Sequence, residues 1–391
     1  MRLKQDVILI LILAGLLGSI CIGIAIKGKS ETEVPVVEEP EVEVIPGTFC
    51  KGINNADNIP QEVLDVVINY MDDYFKSLST LQLQDTSSYF LDHIEGEISN
   101  NAIKLVVETR KLYDFDFTTS DAYYILNVNT FYESDNTYHI EFLEDDSFDF
   151  KFLPDITSQC YDIENTIDIK KVGNEYKISH YDKVQGYYSM FSDNRDEDLD
   201  SIYNFYFKRL TSTMEDENYK KQLASQTPYT GNYGSIKYNR DSASKYAEEY
   251  CHTRNDKYYD FTDEGGNCQN FASQALVAGG MSQDSSGDNQ WYFESYSDYT
   301  PSWVHVSSFS DYSKNNEGSG LVSDNNANIY YAEPGDLIQV GISSVSHTTV
   351  VSKVVGGHIL LNSNSIDMKD FPLEAYTYPV RKLIKILGCN S

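Results

Sequence analysis

The residue whose setting speaks most clearly of chemistry is Cys268, in Gly265-Gly266-Asn267-Cys268-Gln269-Asn270-Phe271-Ala272-Ser273-Gln274-Ala275-Leu276. The glycine pair breaks whatever precedes it, Asn267 can cap, and Phe271, Ala272, Ala275 and Leu276 recur at helical spacing until Gly279 and Gly280 end the run. A thiol in the first turn stands at the positive end of a helix dipole, beside N–H groups with no intrahelical partner, which favours the thiolate. The plainer alternative is a buried cysteine acting as a small apolar residue. A base is available downstream. Leu337 to Val340 has strand composition, and Ser346-His347-Thr348-Thr349-Val350-Val351-Ser352 alternates as a half-buried strand does. A third strand, His358 to Leu361, leads into Asn362, Ser363 and Asn364. Imidazole at His347 would take the thiol proton and return it to a leaving amine, while the Asn364 side chain holds the ring in one tautomer. His347 is preferred to His358 because it lies among small residues that leave room for a thiol. His252 and His305 could lie near the site, and His93, His139 and His180 read as ordinary surface or partly buried residues. No H-x-x-x-H, H-E-x-x-H or C-x-x-C spacing is present, so neither a metal nor another cofactor is implied.

The segment from about Tyr238 to Leu373 resembles the putative amidase domain family, a branch of the papain-like superfamily related to NlpC-like bacterial cell-wall peptidases. The resemblance rests on Tyr238-Asn239-Arg240, Ala243, Tyr246, Ala247, Tyr250, Asn255 and Tyr258, then NCQNFASQALVAGG, Trp303, PGDLIQV and SHTTVVS. It implies Cys268 as nucleophile and His347 as base, with a peptide or other amide as substrate and peptidoglycan as the family's suggestion. Two departures stand out: Asn267-Cys268-Gln269 replaces the frequent Asp-Cys-Thr, and Asn364-Ser365 replaces a frequent His-Thr.

Residues 7 to 26 are free of charge and flanked by Arg2, Lys4, Lys27 and Lys29. A spanning helix needs about 20 such residues, so the expectation is a transmembrane signal anchor over 1–29 and a single-pass cell-membrane protein with its C-terminal region extracellular. A cleaved signal peptide and a secreted chain is the alternative. Residues 30–47 repeat glutamate, valine and proline as an extended stalk. Residues 48–189 read as an α+β spacer: a helix with Leu64, Val67, Ile68, Met71, Phe75 and Leu78 on one face, a helical stretch near 103–107, then five strands. Those strands are Tyr123 to Phe131, Thr137 to Leu143, Phe148 to Leu153, Thr166 to Val172 and Tyr176 to Tyr181, with hairpin turns at Asp135-Asn136 and Gly173-Asn174. Helices followed by a curved antiparallel sheet resemble, in architecture alone, the cystatin-like or nuclear-transport-factor-like cone. Residues 190–229 form a helical connector and 230–391 the papain-like part, a nucleophile helix packed on an antiparallel sheet.

A formal net charge of −30 argues against nucleic acid as partner. With Cys21 in the apolar segment and Cys268 given to catalysis, four cysteines remain. Pairing by domain would join Cys50 to Cys160 and Cys251 to Cys389, with all three connectivities open. The resulting expectation is an α+β, membrane-anchored extracellular cysteine hydrolase acting through a thioester, its oxyanion held by the Cys268 N–H and, as one candidate, Asn267. The rival readings are a binding module that keeps the fold without the chemistry, and an acyltransferase using the same residues.

Overall fold

A computed structural model describes residues 47–391. Helix α1 (Gln61–Thr80) buries Val63, Val67, Tyr70, Met71, Tyr74, Phe75 and Leu78 at spacings of three and four, and α2 (His93–Arg110) is capped by the Asp92 carboxylate accepting from the Ile94 N–H at 2.9 Å. Strand β1 (Cys50–Asn54) precedes α1. After α2 come β2 (Thr119–Ser134), β3 (Thr137–Phe150), β4 (Ser158–Val172) and β5 (Glu175–Lys183). Asp135 and Asn136 take φ of 51° and 61° in the β2–β3 turn, the left-handed pair that two-residue hairpins demand and that Asp and Asn tolerate. The separate strand expected from Phe148 is the far end of β3. Its Glu144-Asp145-Asp146 run stays in the strand because Glu144, fully buried, accepts from Lys183 at 2.7 Å to both oxygens.

Helices α3 (Gly186–Ser192) and α4 (Leu199–Gln226) lead to the downstream part. There α5 (Arg240–Tyr250) and α6 (Cys268–Ala278) are followed by a small hairpin of β6 (Phe293–Ser295) and β7 (Asp298–Tyr299). Next come α7 (Pro301–Val304), α8 (Val306–Asn315), β8 (Gly320–Asp324), β9 (Leu337–Gly341), β10 (His347–Val355), β11 (His358–Ser363), β12 (Asp367–Pro372) and β13 (Val380–Asn390).

Eleven strands form one sheet in the order β1-β2-β3-β4-β12-β11-β10-β9-β13-β8, with β5 also on β4. All pairs except β1–β2 are antiparallel. Strand β4 is the seam: residues from Asn165 to Val172 pair with β5, while Gln159, Cys160 and Tyr161 pair with β12. One apolar core, including Tyr74, Phe75, Phe148, Cys160, Val351 and Phe371, runs from the upstream helices onto the downstream strands. A second, with Phe271, Leu276, Trp291, Trp303 and Val350, lies among the downstream helices.

Three expectations are corrected or left aside here. The fold is α+β with a large, mostly antiparallel sheet, but the membrane-spanning helix placed over residues 7 to 26 falls outside the described residues, and among those described no helix is long and apolar enough to cross a membrane. The single-pass, extracellular placement rested on that helix and is withdrawn with it. The cysteines expected to pair, Cys50, Cys160, Cys251 and Cys389, are all buried free thiols.

Candidate active site

Gly265 and Gly266, at φ of 103° and 110°, make a turn open only to glycine, and Asn267 then starts α6. Asn267 is spent on holding that turn. Its Oδ1 accepts from the Phe261 N–H at 3.1 Å and from Asn270 Nδ2 at 2.7 Å, its own N–H donates to Ser365 Oγ, and its Nδ2 donates to Asn364 Oδ1 at 2.7 Å.

Every residue of α6 from Cys268 to Leu276 is buried, the polar ones included. Each of those polar side chains has a partner, as burial demands. Asn270 Oδ1 accepts from Trp303 Nε1 at 2.7 Å, Ser273 Oγ accepts from Trp291 Nε1 at 3.1 Å, and Gln274 Oε1 accepts from the Tyr246 hydroxyl at 2.5 Å. Gln269 reaches the sheet: the Thr348 hydroxyl donates to its Oε1 at 2.8 Å, and that hydroxyl accepts from Gln339 Nε2 at 3.3 Å. Helix α6 is thereby fixed to β10 and, through it, to β9.

The Thr348 backbone N–H, one residue from His347, favours the Cys268 thiolate. Burial raises the thiol's pKa above its ordinary value, and the N–H groups of Thr348, Gln269 and Cys268 recover part of the loss. The helix-end advantage expected from position alone is thus outweighed by desolvation. His347 keeps some surface exposure, but its Nε2 is shut from solvent and has no hydrogen-bond partner. Burial pushes the imidazole pKa down to about 4, opposed by the Asp367 carboxylate. At neutral pH both groups therefore rest uncharged.

Asn364 sits on the thiol's side of the site. Besides accepting from Asn267, its Nδ2 donates to the carbonyls of Tyr250 at 3.0 Å and Thr253 at 3.4 Å. The charge that acts on His347 is Asp367, gripped by Arg254 through Nη1 at 2.8 Å and Nη2 at 3.3 Å. Asp162, His252 and Asp367 bring one ligand atom each within 4.8 Å of one another. Arg254 already neutralises Asp367 there, so the group reads as an ion-pair seam between β4 and β12.

Residues 237–386 match the family described as "Putative amidase domain". That match suggests a hydrolase acting on amide bonds. The uncharacterized protein YhbB of Bacillus subtilis (strain 168) is 33% identical over 142 residues, which are 34% of this chain and 44% of that protein. The chain thus spans less than half the length of this curated relative. No solved structure matches, so the papain-like and cone-like likenesses stay expectations of the sequence.

Several residues of the matched segment form one buried polar network. Arg240 donates to Asp336 Oδ1 at 2.7 Å and to the carbonyls of Pro334 and Ile386 at 3.1 and 2.6 Å. Asp336, fully buried, also accepts from Lys385 Nζ at 3.1 Å and from the Ile386 and Glu333 N–H groups at 2.8 and 2.9 Å. The Tyr238 hydroxyl donates to the Gly335 carbonyl at 2.8 Å. These residues join α5 to β9 and β13 and carry no chemistry of their own. Sequence reasoning missed Gln269 and Thr348 as the clamp between α6 and the sheet, although two polar residues flanking an apolar run in both segments were the signal.

Proposed function

We propose that the chain hydrolyses a peptide or other amide bond with Cys268 as nucleophile and His347 as proton carrier. Sulfur attacks the carbonyl carbon as the His347 Nε2 takes its proton; the same nitrogen then protonates the leaving amine, and a thioester remains. Water, deprotonated by His347, opens the thioester and frees the acid. The backbone N–H groups of Cys268 and Gln269 are the donors offered to the oxyanion. Asn364 is a positioning residue, acting through Asn267 on the turn that carries the thiol.

The observation that carries this reading is the buried, unpartnered His347 Nε2, one residue from Thr348, whose backbone N–H favours the Cys268 thiolate. An orphaned acceptor is costly unless something uses it, and a thiol proton in the approach to the transition state is such a use. The raised thiol pKa favours a second reading, a binding module without turnover. Release of free amines from N-acyl peptides and from purified wall peptide separates the two. Cys268→Ala should abolish release, and His347→Gln should lower it by roughly 10²- to 10⁴-fold. Amine release unchanged in Cys268→Ala would sink the proposal, and none from the unaltered chain would favour the binding module.

A further inference from the structure

On the face of the sheet covered by α1 and α2, four residues stand in one rung. Asp146 on β3 is opposite Cys160 on β4, Cys160 is opposite Met368 on β12, and Met368 is opposite Ser363 on β11. Directly opposed residues share a face, so this rung crosses the β4 seam. Over it lies a cavity of ≈ 60 Å³, walled by Tyr74 of α1, by Gly186 and Tyr187 at the start of α3, and by Tyr376 and Tyr378. The charge of a Cys268 thiolate would act on the Tyr378 hydroxyl of this wall.

Three of the residues lining it, Arg110, Asp146 and Tyr376, are each at least nine-tenths buried. Each has a polar atom that makes no hydrogen bond of normal geometry: Arg110 Nε, Asp146 Oδ1 beside Glu144, and the Tyr376 hydroxyl beside Ser363. The rings of Phe117 and Phe150, 5.1 and 5.5 Å from the guanidinium carbon, attend the cation and supply no oxygen acceptor. The neighbouring Glu144 is occupied by Lys183. Burial first, and Glu144 second, hold the Asp146 carboxyl protonated well above its ordinary range, its proton directed at Glu144, so it brings no negative charge to the cavity. One cation and a neutral hydroxyl in an apolar pocket suit a ligand that only accepts.

We propose that this cavity binds a carboxylate carried on a short apolar stem, with Arg110 and Tyr376 as its donors. The size is consistent: one water needs about 10–15 Å³ on this measure and an apolar cavity that admits benzene is about 150 Å³, so a carboxylate with one or two methylenes fits and an aromatic ring does not. The pocket stands without the hydrolase reading. Its use for an acidic side chain of the substrate rests on that reading, whereas a free short-chain acid needs only the pocket.

Isothermal titration of butyrate into the full chain tests it. Saturable binding is expected, with butyramide and benzoate at least about ten-fold weaker. Tyr376→Phe, which removes one hydroxyl, should weaken butyrate roughly ten-fold, and Arg110→Met should abolish binding. Should Arg110→Met fail to fold, the conservative Tyr376→Phe decides. Cys268→Ala should bind butyrate unchanged, so failure of the pocket and failure of catalysis are read separately. Where turnover is measurable, butyrate that raises KM alone supports the pocket as a substrate subsite, and butyrate that lowers kcat alone supports it as a site for a free acid. No saturation by roughly 10 mM, equal affinity for butyramide, or an unaltered Tyr376→Phe would overturn the proposal.

Discussion

The resting state of His347 should be visible as a pH dependence of stability. In the folded chain burial pushes its pKa down to about 4, while in the unfolded chain imidazole titrates near 6.5. Between those values the unfolded chain binds the proton more tightly, so stability falls as pH drops from about 6.5 towards 4 and is unaffected by this group above that window. The gap is worth about 3 kcal/mol when complete, and about 2 kcal/mol of it is lost by pH 5. His347→Gln removes the titration and keeps a polar side chain. Urea denaturation of both proteins at pH 7.5 and pH 5 gives the quantity needed, the difference between their unfolding free energies at each pH. His139 and His252, whose pKa values are raised, titrate equally in both proteins and cancel. The unaltered chain should lose about 2 kcal/mol relative to His347→Gln between the two pH values. A difference that is the same at both pH values would refute the buried, neutral imidazole.

Other consequences follow from the same geometry. Because the Cys268 pKa lies above its ordinary value of 9.0, less than about 3% of it is thiolate at pH 7.5. Alkylation of Cys268 by iodoacetamide, followed by peptide mass spectrometry, should accelerate about ten-fold per pH unit up to pH 9, and a plateau below pH 7 would contradict a neutral pair. Lys183→Met strands the buried Glu144 carboxylate and should cost about 3–5 kcal/mol in urea, with most of it regained on adding Glu144→Leu. Asp336→Ala removes the shared partner of Arg240 and the buried Lys385 and should cost a similar 3–5 kcal/mol, measured by the same denaturation. Asn364→Ala should slow amine release without moving the alkylation profile, since its hydrogen bonds go to the Asn267 turn and the α5 exit.

What could be read from the sequence was what local chemistry dictates. The apolar face of α1, the helix after Gly265-Gly266 and the Asp135-Asn136 turn each follow from a few neighbouring residues, and the structure has all three. What could not be read was set by residues far apart in the chain. The Glu144 run looks like a break in a strand until Lys183, 39 positions away, is seen to neutralise it inside the core. The thiol's pKa has the same character. Position at a helix start argues for a lowered value, but the sign is decided by how much water the sheet excludes, and no spacing of residues records that.

The pairing of β12 with β4 is the strongest instance. It joins residues separated by some two hundred positions, and it lays Asp146 and Cys160 of the upstream part on the same face as Met368 and Ser363, next to the strand that carries His347. A reading that assigned all chemistry to the C-terminal part had no reason to look at Arg110 or Asp146. Yet the cavity wall at Tyr378, on which the thiol acts electrostatically, is shared with Gly186 and Tyr187 from that upstream part. A residue substituted there acts on what the site admits rather than on the bond it breaks. Gly186→Ala drives a Cβ into the Tyr378 hydroxyl and must displace that ring, so it should raise KM for amide substrates while leaving the Cys268 alkylation profile in place. If it changes neither, the upstream part has no share in the site.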